Sequence, residues 1–214
     1  MAEKIKRGVF ITFEGPEGSG KSTQAGRVAE ELRKEGHDVV YTAEPGGTPL
    51  GDRIRDILLQ KDGIRLGRVA ELLLFEADRA QHVEDMIAPA LQEGKIVICD
   101  RFNTATLAYQ GYGLGMDLRD IVKIDSLACG GVTPDLTVLL DIEVETGLKR
   151  AGKVGKADRM EKRSLEFHNR VRKGYLDLAA ASEDRMKIIQ VRDSRDETYS
   201  EVREVIYSFL EKRV

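Results

Sequence analysis

Five short apolar, β-rich runs recur along the chain, at Val9–Phe13, Asp38–Thr42, Lys95–Cys99, Asp135–Leu140 and Lys187–Val191. The longer stretches between them repeat apolar positions every three to four residues, the period of a helix with one buried face. This alternation predicts an α/β fold, a five-stranded parallel sheet with helices on both faces. The third and fourth runs contain Ile96-Val97-Ile98-Cys99 and Leu136-Thr137-Val138-Leu139-Leu140, almost continuously apolar, as strands covered on both sides should be. In an open α/β sheet ligands bind beyond the carboxyl ends of the strands, so chemistry is expected in the residues just after each run.

After the first run the chain reads Gly15-Pro16-Glu17-Gly18-Ser19-Gly20-Lys21-Ser22-Thr23, and then a helix-like stretch from Thr23 to Lys34. Strand, glycine-rich loop and helix in this order form a phosphate-binding loop. The glycines let successive N–H groups face inward, the helix start adds its positive dipole end, and Lys21 brings a full charge to the β and γ phosphates. Ser22 is the expected magnesium ligand. A plain turn joining strand to helix does not account for the Lys-Ser pair at its end.

The second run leads into Glu44-Pro45-Gly46-Gly47-Thr48 and then a helix-like stretch from Gly51 to Leu59. Pro45 fixes one dihedral and the glycines permit sharp bends, which makes a shaped loop at the ligand edge. A third helix-like stretch, Arg68 to Leu91, places Phe75 and Arg79 four residues apart on one face. A base could stack on the ring and be read by the guanidinium; equally, the pair could be a core residue and a solvated charge. After the third run comes Asp100-Arg101-Phe102. An Asp at a buried strand end suits the water shell of a magnesium ion, and the adjacent Arg can hold a phosphate with two parallel hydrogen bonds, although an ordinary ion pair fits the same residues. Between Gly147 and Arg163 there are seven basic residues against two acidic ones. The three glycines inside this segment argue against a long rigid helix, and charge with flexibility is what a closing phosphate clamp requires.

The 214 residues suit one domain over 1–214 with 147–163 as its lid. With 34 Lys and Arg against 37 Asp and Glu, the net charge of −3 gives no global field to recruit nucleic acid. No stretch approaches a membrane span and the charged N-terminus has no apolar h-region of a signal peptide behind it, so neither membrane nor export is expected and the cytoplasm is the default. Cys99 and Cys129 lie in apolar surroundings and read as reduced core residues, and His37, His82 and His168 are too scattered to suggest a metal cluster.

Taken together, the motifs resemble those of thymidylate kinase, the bacterial phosphate-loop enzyme that phosphorylates dTMP with ATP. The resemblance runs in order through Phe13-Glu14-Gly15 to Thr23, Glu44-Pro45-Gly46-Gly47-Thr48, Leu74-Phe75-Glu76-Ala77-Asp78-Arg79, Asp100-Arg101-Phe102, Ala108-Tyr109-Gln110-Gly111, Pro134-Asp135-Leu136-Thr137 to Asp141, and Asp158-Arg159. It implies that Glu17 contacts the sugar 3′-hydroxyl of dTMP, Phe75 stacks on thymine and Arg79 donates to its O4. It also implies that Arg101 holds the acceptor phosphate with Asp100 near magnesium, and that Pro45, Ala105, Tyr109 and Gln110 line the dTMP site. The lid and the stretch around Arg192-Asp193-Ser194 would enclose ATP, with Arg150 and Lys153 among its contacts, and a homodimer is implied. Catalysis would then rest on Lys21, Arg101, Arg150 and Glu17.

The chain departs from the family pattern in three places. Ala43 stands where an Arg is usual before Glu-Pro-Gly-Gly, Ala105 replaces a common Ser or Asn, and Gly152 and Val154 fall where further lid arginines often lie, beside Lys153 and Lys156. Two other assignments stay open on sequence alone. One is another small phosphate-loop kinase acting on a deoxynucleoside or a different monophosphate. The other is a nucleotide-dependent switch, which would need a guanine-reading Asn-Lys-x-Asp stretch that the sequence lacks.

Overall fold

The computed structural model describes residues 8–59, 65–153 and 158–213. All five expected strands form, each boundary within one residue of its apolar run: β1 (Val9–Glu14), β2 (Val39–Ala43), β3 (Ile96–Asp100), β4 (Leu136–Asp141) and β5 (Met186–Gln190). They make one parallel sheet in the order β2-β3-β1-β4-β5. Every residue of β1, β3 and β4 is buried, and the partly exposed strands are the two edges. Continuous apolar sequence therefore marks the centre of the sheet, where both faces are covered.

Side-chain alternation divides the core in two. Val9, Ile11 and Phe13 of β1, with Ile96, Ile98, Leu136, Val138 and Leu140, pack against α1 (Lys21–Lys34) and α9 (Arg195–Glu211). On the opposite face Phe10, Val97 and Cys99 pack with Phe102 and Cys129, and Leu139 packs with Val171 and Tyr175 of α8 (Leu165–Ala180). The remaining helices are α2 (Pro49–Leu59), α3 (Arg68–His82), α4 (Ala88–Gln92), α5 (Asn103–Thr106), α6 (Leu118–Cys129) and α7 (Val144–Ala151). Ser164 and Ser194 cap α8 and α9 by accepting backbone N–H bonds.

One expectation needs correction. The stretch from Arg68 is not one α-helix, because a π-helical turn at Val83–Ile87 joins α3 to α4. Pro89 has no N–H to offer the carbonyl of Asp85 and its ring crowds that position, so the ladder slips by a residue there. The basic segment 147–163 begins in the last turns of α7, which ends at Ala151. α7 carries Gly147 in its interior, where the glycine serves a close approach: a Cβ at Gly147 would lie 2.3 Å from the Glu17 carbonyl oxygen.

Strand order positions the site. β1 lies between β3 and β4, and Phe13 pairs with Asp100, so the loops that leave β1 and β3 are neighbours at one edge of the sheet. Among the described residues no helix is long and apolar enough to cross a membrane.

Candidate active site

The glycine loop after β1 folds back over the start of α1, and Lys21 lies beneath it. Its Nζ donates to the carbonyls of Gly15 (3.0 Å) and Pro16 (2.9 Å) and to Ser19 Oγ (3.3 Å). Burial and the neighbouring Arg101 lower its pKa to about 8, against Glu17, Asp100 and Glu14, which favour the charge. Ser22 Oγ donates to Asp100 Oδ2, while Asp100 Oδ1 is buried without a partner among the described residues. At Gly18, φ is +67° and a Cβ would lie 2.0 Å from the Gly147 carbonyl oxygen. No side chain fits at that point. The loop and α7 touch backbone to backbone there.

Arg101 is the one non-glycine among the described residues with positive φ, at +72°. A side chain in this region costs about 1–3 kcal/mol and persists when the surroundings hold it there. Its N–H donates to the Phe13 carbonyl at 2.9 Å. The guanidinium donates through Nη1 to the Gly15 carbonyl and Tyr175 Oη, both at 3.2 Å, and through Nη2 to Glu17 Oε1 (2.9 Å) and Tyr109 Oη (3.2 Å). Tyr109 also donates to Glu17 Oε1, at 2.7 Å. Burial works to raise the Glu17 pKa, but Arg101 and Lys21 outweigh it and hold the carboxyl down at about 2.

A cleft of about 600 Å³ runs from this junction towards α3, lined by Lys21, Ser22, Pro45, Phe75, Arg79 and Tyr109 among others. Gly20, Thr23, Asp100, Ala105 and Gln110 also line it, whereas Gly15, Pro16 and Ser19 form the back of the loop. The Glu44–Pro45 bond is cis. Phe75 is half-buried. Arg79 is not a solvated charge: its Nε and Nη2 meet Glu44 Oε2 at 3.0 and 2.9 Å, and its Nη1 meets Glu76 Oε1 (2.7 Å), Thr106 Oγ1 (3.0 Å) and Asp125 Oδ1 (3.2 Å). Gln110 donates to the buried Glu71 at 3.0 Å.

The cations of segment 147–163 divide. Arg159 Nη1 (2.6 Å) and Arg163 Nη2 (2.9 Å) both bind Glu71 Oε2, and Arg159 Nε donates to the Leu58 carbonyl at 2.8 Å. These two arginines tie the end of that segment to α3. Arg150, on α7, reaches the Arg192 carbonyl and Asp193 Oδ1 at 3.5 Å, and Arg192 itself pairs with Glu201. Lys153 is exposed, and Val154 and Lys156 lie outside the described residues. Arg150, Lys153 and Arg192 are not part of the cleft wall.

The thymidylate kinase family model matches residues 13–202. The chain belongs to the thymidylate kinase family. It is 46% identical over 212 residues to the thymidylate kinase of Geobacter sulfurreducens, covering 96% of this chain and all of that one. With the thymidylate kinase of Syntrophotalea carbinolica it shares 50% identity over 194 residues, 88% of this chain and 90% of the relative. The crystal structure of thymidylate kinase from Ehrlichia chaffeensis superposes with a TM-score of 0.77 at 36% identity, covering 94% of this chain and 99% of that one. The enzyme is thus an ATP-dependent dTMP kinase with the phosphate-loop NTPase fold, and neither a different small phosphate-loop kinase nor a nucleotide switch is favoured.

Several residues of this kinase's cleft carried no sequence signal that singled them out. Arg55 lines the cleft and donates to the Pro45 carbonyl at 2.6 Å, a cation one helix later than the position Ala43 occupies. Glu44, Glu76 and Asp125 converge on Arg79 from three separate segments. Asp78 receives the Gly46 N–H at 2.8 Å, and burial, with Glu44 nearby, pushes its carboxyl up to about 8. Glu44, His82 and Cys99 approach one another. Both nitrogens of His82 are taken, by Glu44 and Thr42, which makes this a hydrogen-bonded network.

Proposed function

We propose that ATP binds over the loop Gly15–Thr23 with its phosphates meeting Lys21, and that dTMP lies in the cleft with its phosphate at Arg101 and its base between Phe75 and Arg79. The observation that carries this is the position of Arg101, whose one guanidinium touches the donor loop at Gly15 and Glu17 and the cleft wall at Tyr109. A group there meets both phosphates. Arg55 stands in for the cation that Ala43 does not supply, and Thr106 Oγ1 offers the polar contact that Ala105 lacks. Arg79 Nη2, which reaches Glu44 and no other group among the described residues, is free to donate to thymine O4.

No general base is required, since a monophosphate with its second pKa near ~6 is already largely ionised at neutral pH. The barrier lies in bringing two polyanions together and stabilising the transferred phosphoryl group, which calls for fixed positive charge. On this reading Lys21 exchanges its carbonyl partners for phosphate oxygens, Arg101 aligns the acceptor, Glu17 and Tyr109 orient the sugar, and Arg150 closes from the lid. Segment 147–163 is that lid, within a single catalytic unit spanning the chain. Ser22 Oγ and both oxygens of Asp100, one of them unpartnered and buried, are hard oxygen donors that suit Mg2+. The ion, when bound, would neutralise charge on the donor phosphates.

A homodimer through α2, α3 and α6 is supported by exposed Leu50, Ile57, Val69, Leu73, Leu118 and Val122, which lie on helices that pack side by side. The net charge of −3 gives no reason to invoke nucleic acid, and a cytoplasmic site of action fits the substrates. The test of the site is Lys21→Ala, measured by steady-state phosphoryl transfer beside thermal melting. The expected result is a folded protein without transfer; near-parental activity in a folded variant would end this assignment.

A further inference from the structure

Behind Arg101 lies a carboxylate that has no place against either nucleotide. Glu14, the last residue of β1, is fully buried. Its Oε1 accepts the N–H of Phe102, the residue after the strained Arg101, at 2.8 Å. Its Oε2 accepts from Tyr175 Oη at 2.9 Å, and that same phenol oxygen accepts from Arg101 Nη1 at 3.2 Å. The donors form one directed chain: Arg101 donates to Tyr175, and Tyr175 donates to Glu14.

We infer that Glu14 is a positioning residue for phosphoryl transfer, which acts with Tyr175 to hold Arg101 in the orientation that meets the acceptor phosphate. The inference rests on the assignment of Arg101 to that phosphate. Glu14 grips Arg101 at two points, the backbone on one side of its positive φ and the guanidinium through the phenol. Positive φ in an arginine relaxes unless its neighbours fix it, and the N–H of Phe102 bonded to Glu14 is such a fixture. Tyr175 reaches the site from α8, so a helix on one face of the sheet sets the angle of a side chain after β3. A misplaced phosphate ligand loses its alignment with the in-line transfer geometry, which acts on kcat.

Keeping an ionised group here opposes stability. Burial raises the Glu14 pKa to about 7, against Arg101, the Phe102 N–H, Tyr175 and Lys21, which lower it. The groups that face it are Arg101 after β3, Lys21 on α1 and Tyr175 on α8, with Cys99 of β3 also within electrostatic range. A carboxyl whose folded pKa is raised favours the folded state at low pH, and that contribution is lost as pH rises through about 7. A group that stabilised the fold alone would do better without the charge.

Glu14→Gln and Tyr175→Phe, singly and together, test this by steady-state kinetics on ATP and dTMP with thermal melting at pH 8. Each single variant is expected to lower kcat by about 10- to 100-fold. KM for ATP should stay within about twofold, because the donor loop keeps its contacts. The double variant should be no worse than the poorer single one, since both changes cut the same chain. Glu14→Gln should melt at pH 8 no lower than the parent. Parental kcat in a folded Glu14→Gln or Tyr175→Phe protein overturns the inference, as do losses that multiply in the double variant. Arg101→Lys in the same assay separates the two levels: if it is impaired while Tyr175→Phe is silent, this inference alone falls, and if it is silent the assignment of Arg101 falls with it.

Discussion

The α3 end of the cleft and its junction with the glycine loop are each built on an arginine, one buried and one part-buried, and the two have opposite surroundings. Arg79 has 2% of its side chain exposed and contacts three carboxylates, Glu44, Glu76 and Asp125. Arg101 has 18% exposed and contacts one carboxylate, Glu17, its other partners being a carbonyl and two phenols. Charge balance therefore separates their roles. Around Arg79 the cation is outnumbered, and a phosphate dianion brought there would meet excess negative charge; what remains is a directed N–H for a neutral carbonyl such as thymine O4. Around Arg101 the nearby carboxylates Glu17, Asp100 and Glu14 are shared with Lys21 and only Glu17 touches the guanidinium, so on the proposed reading an incoming phosphate meets less negative charge there. In the proposed function the same side chain reads a base in one place and binds a phosphate in the other.

The largest effect that would break this comparison is on stability. Arg79→Met leaves three buried carboxylates without their cation and is expected to destabilise the fold by about 3–5 kcal/mol, read by urea unfolding. Unchanged stability would mean that Arg79 does not balance the cluster. Arg101→Lys keeps the charge but not the planar fork, and kcat should fall by ~10²–10³, about 2.7–4 kcal/mol, with melting close to the parent.

Base choice gives the next contrast. Cytosine presents an amino donor where thymine presents O4, so dTMP should exceed dCMP by at least ~10² in kcat/KM, and the preference should collapse in Arg79→Met assayed under conditions where it is folded. Equal use of both by the parent would remove the reading role. Glu17 is smaller again. Its folded pKa near 2 lies below the usual carboxylate value of 4.5, so it stabilises the fold above pH 4.5 and that contribution is lost as pH falls through about 2. Glu17→Gln should lack this contribution, of order 1–3 kcal/mol, and unfold less steeply in acid; parallel acid-unfolding curves would contradict the pairing with Arg101.

The smallest expected effect lies in the lid. Arg150→Lys should lower kcat by roughly tenfold, whereas Lys153→Ala with Lys156→Ala should raise KM for ATP and reduce its salt dependence. A large kcat loss from the lysine pair with Arg150→Lys silent would move the lid's role to the lysines.

Much of this was legible in the chain. The five strands and the phosphate loop carry local signals, period and glycine spacing, which survive any packing. The basic run from Gly147 to Arg163 shows where a one-dimensional reading stops: Arg159 and Arg163 count as lid cations in sequence, but a buried Glu71, more than eighty residues earlier, takes both. Likewise Gly147 looks like a flexible point in sequence and is a contact between α7 and the loop at Gly18. Tyr175 and Glu14, 161 residues apart, meet at Arg101.

By itself the sequence determined the order of elements, the sheet type and the family, because each rests on neighbours along the chain or on an ordered set of motifs. The tertiary structure decided which arginine meets which carboxylates. That outcome depends on groups from distant segments brought within about 3 Å of one guanidinium, and on their removal from water, neither of which spacing along a chain encodes.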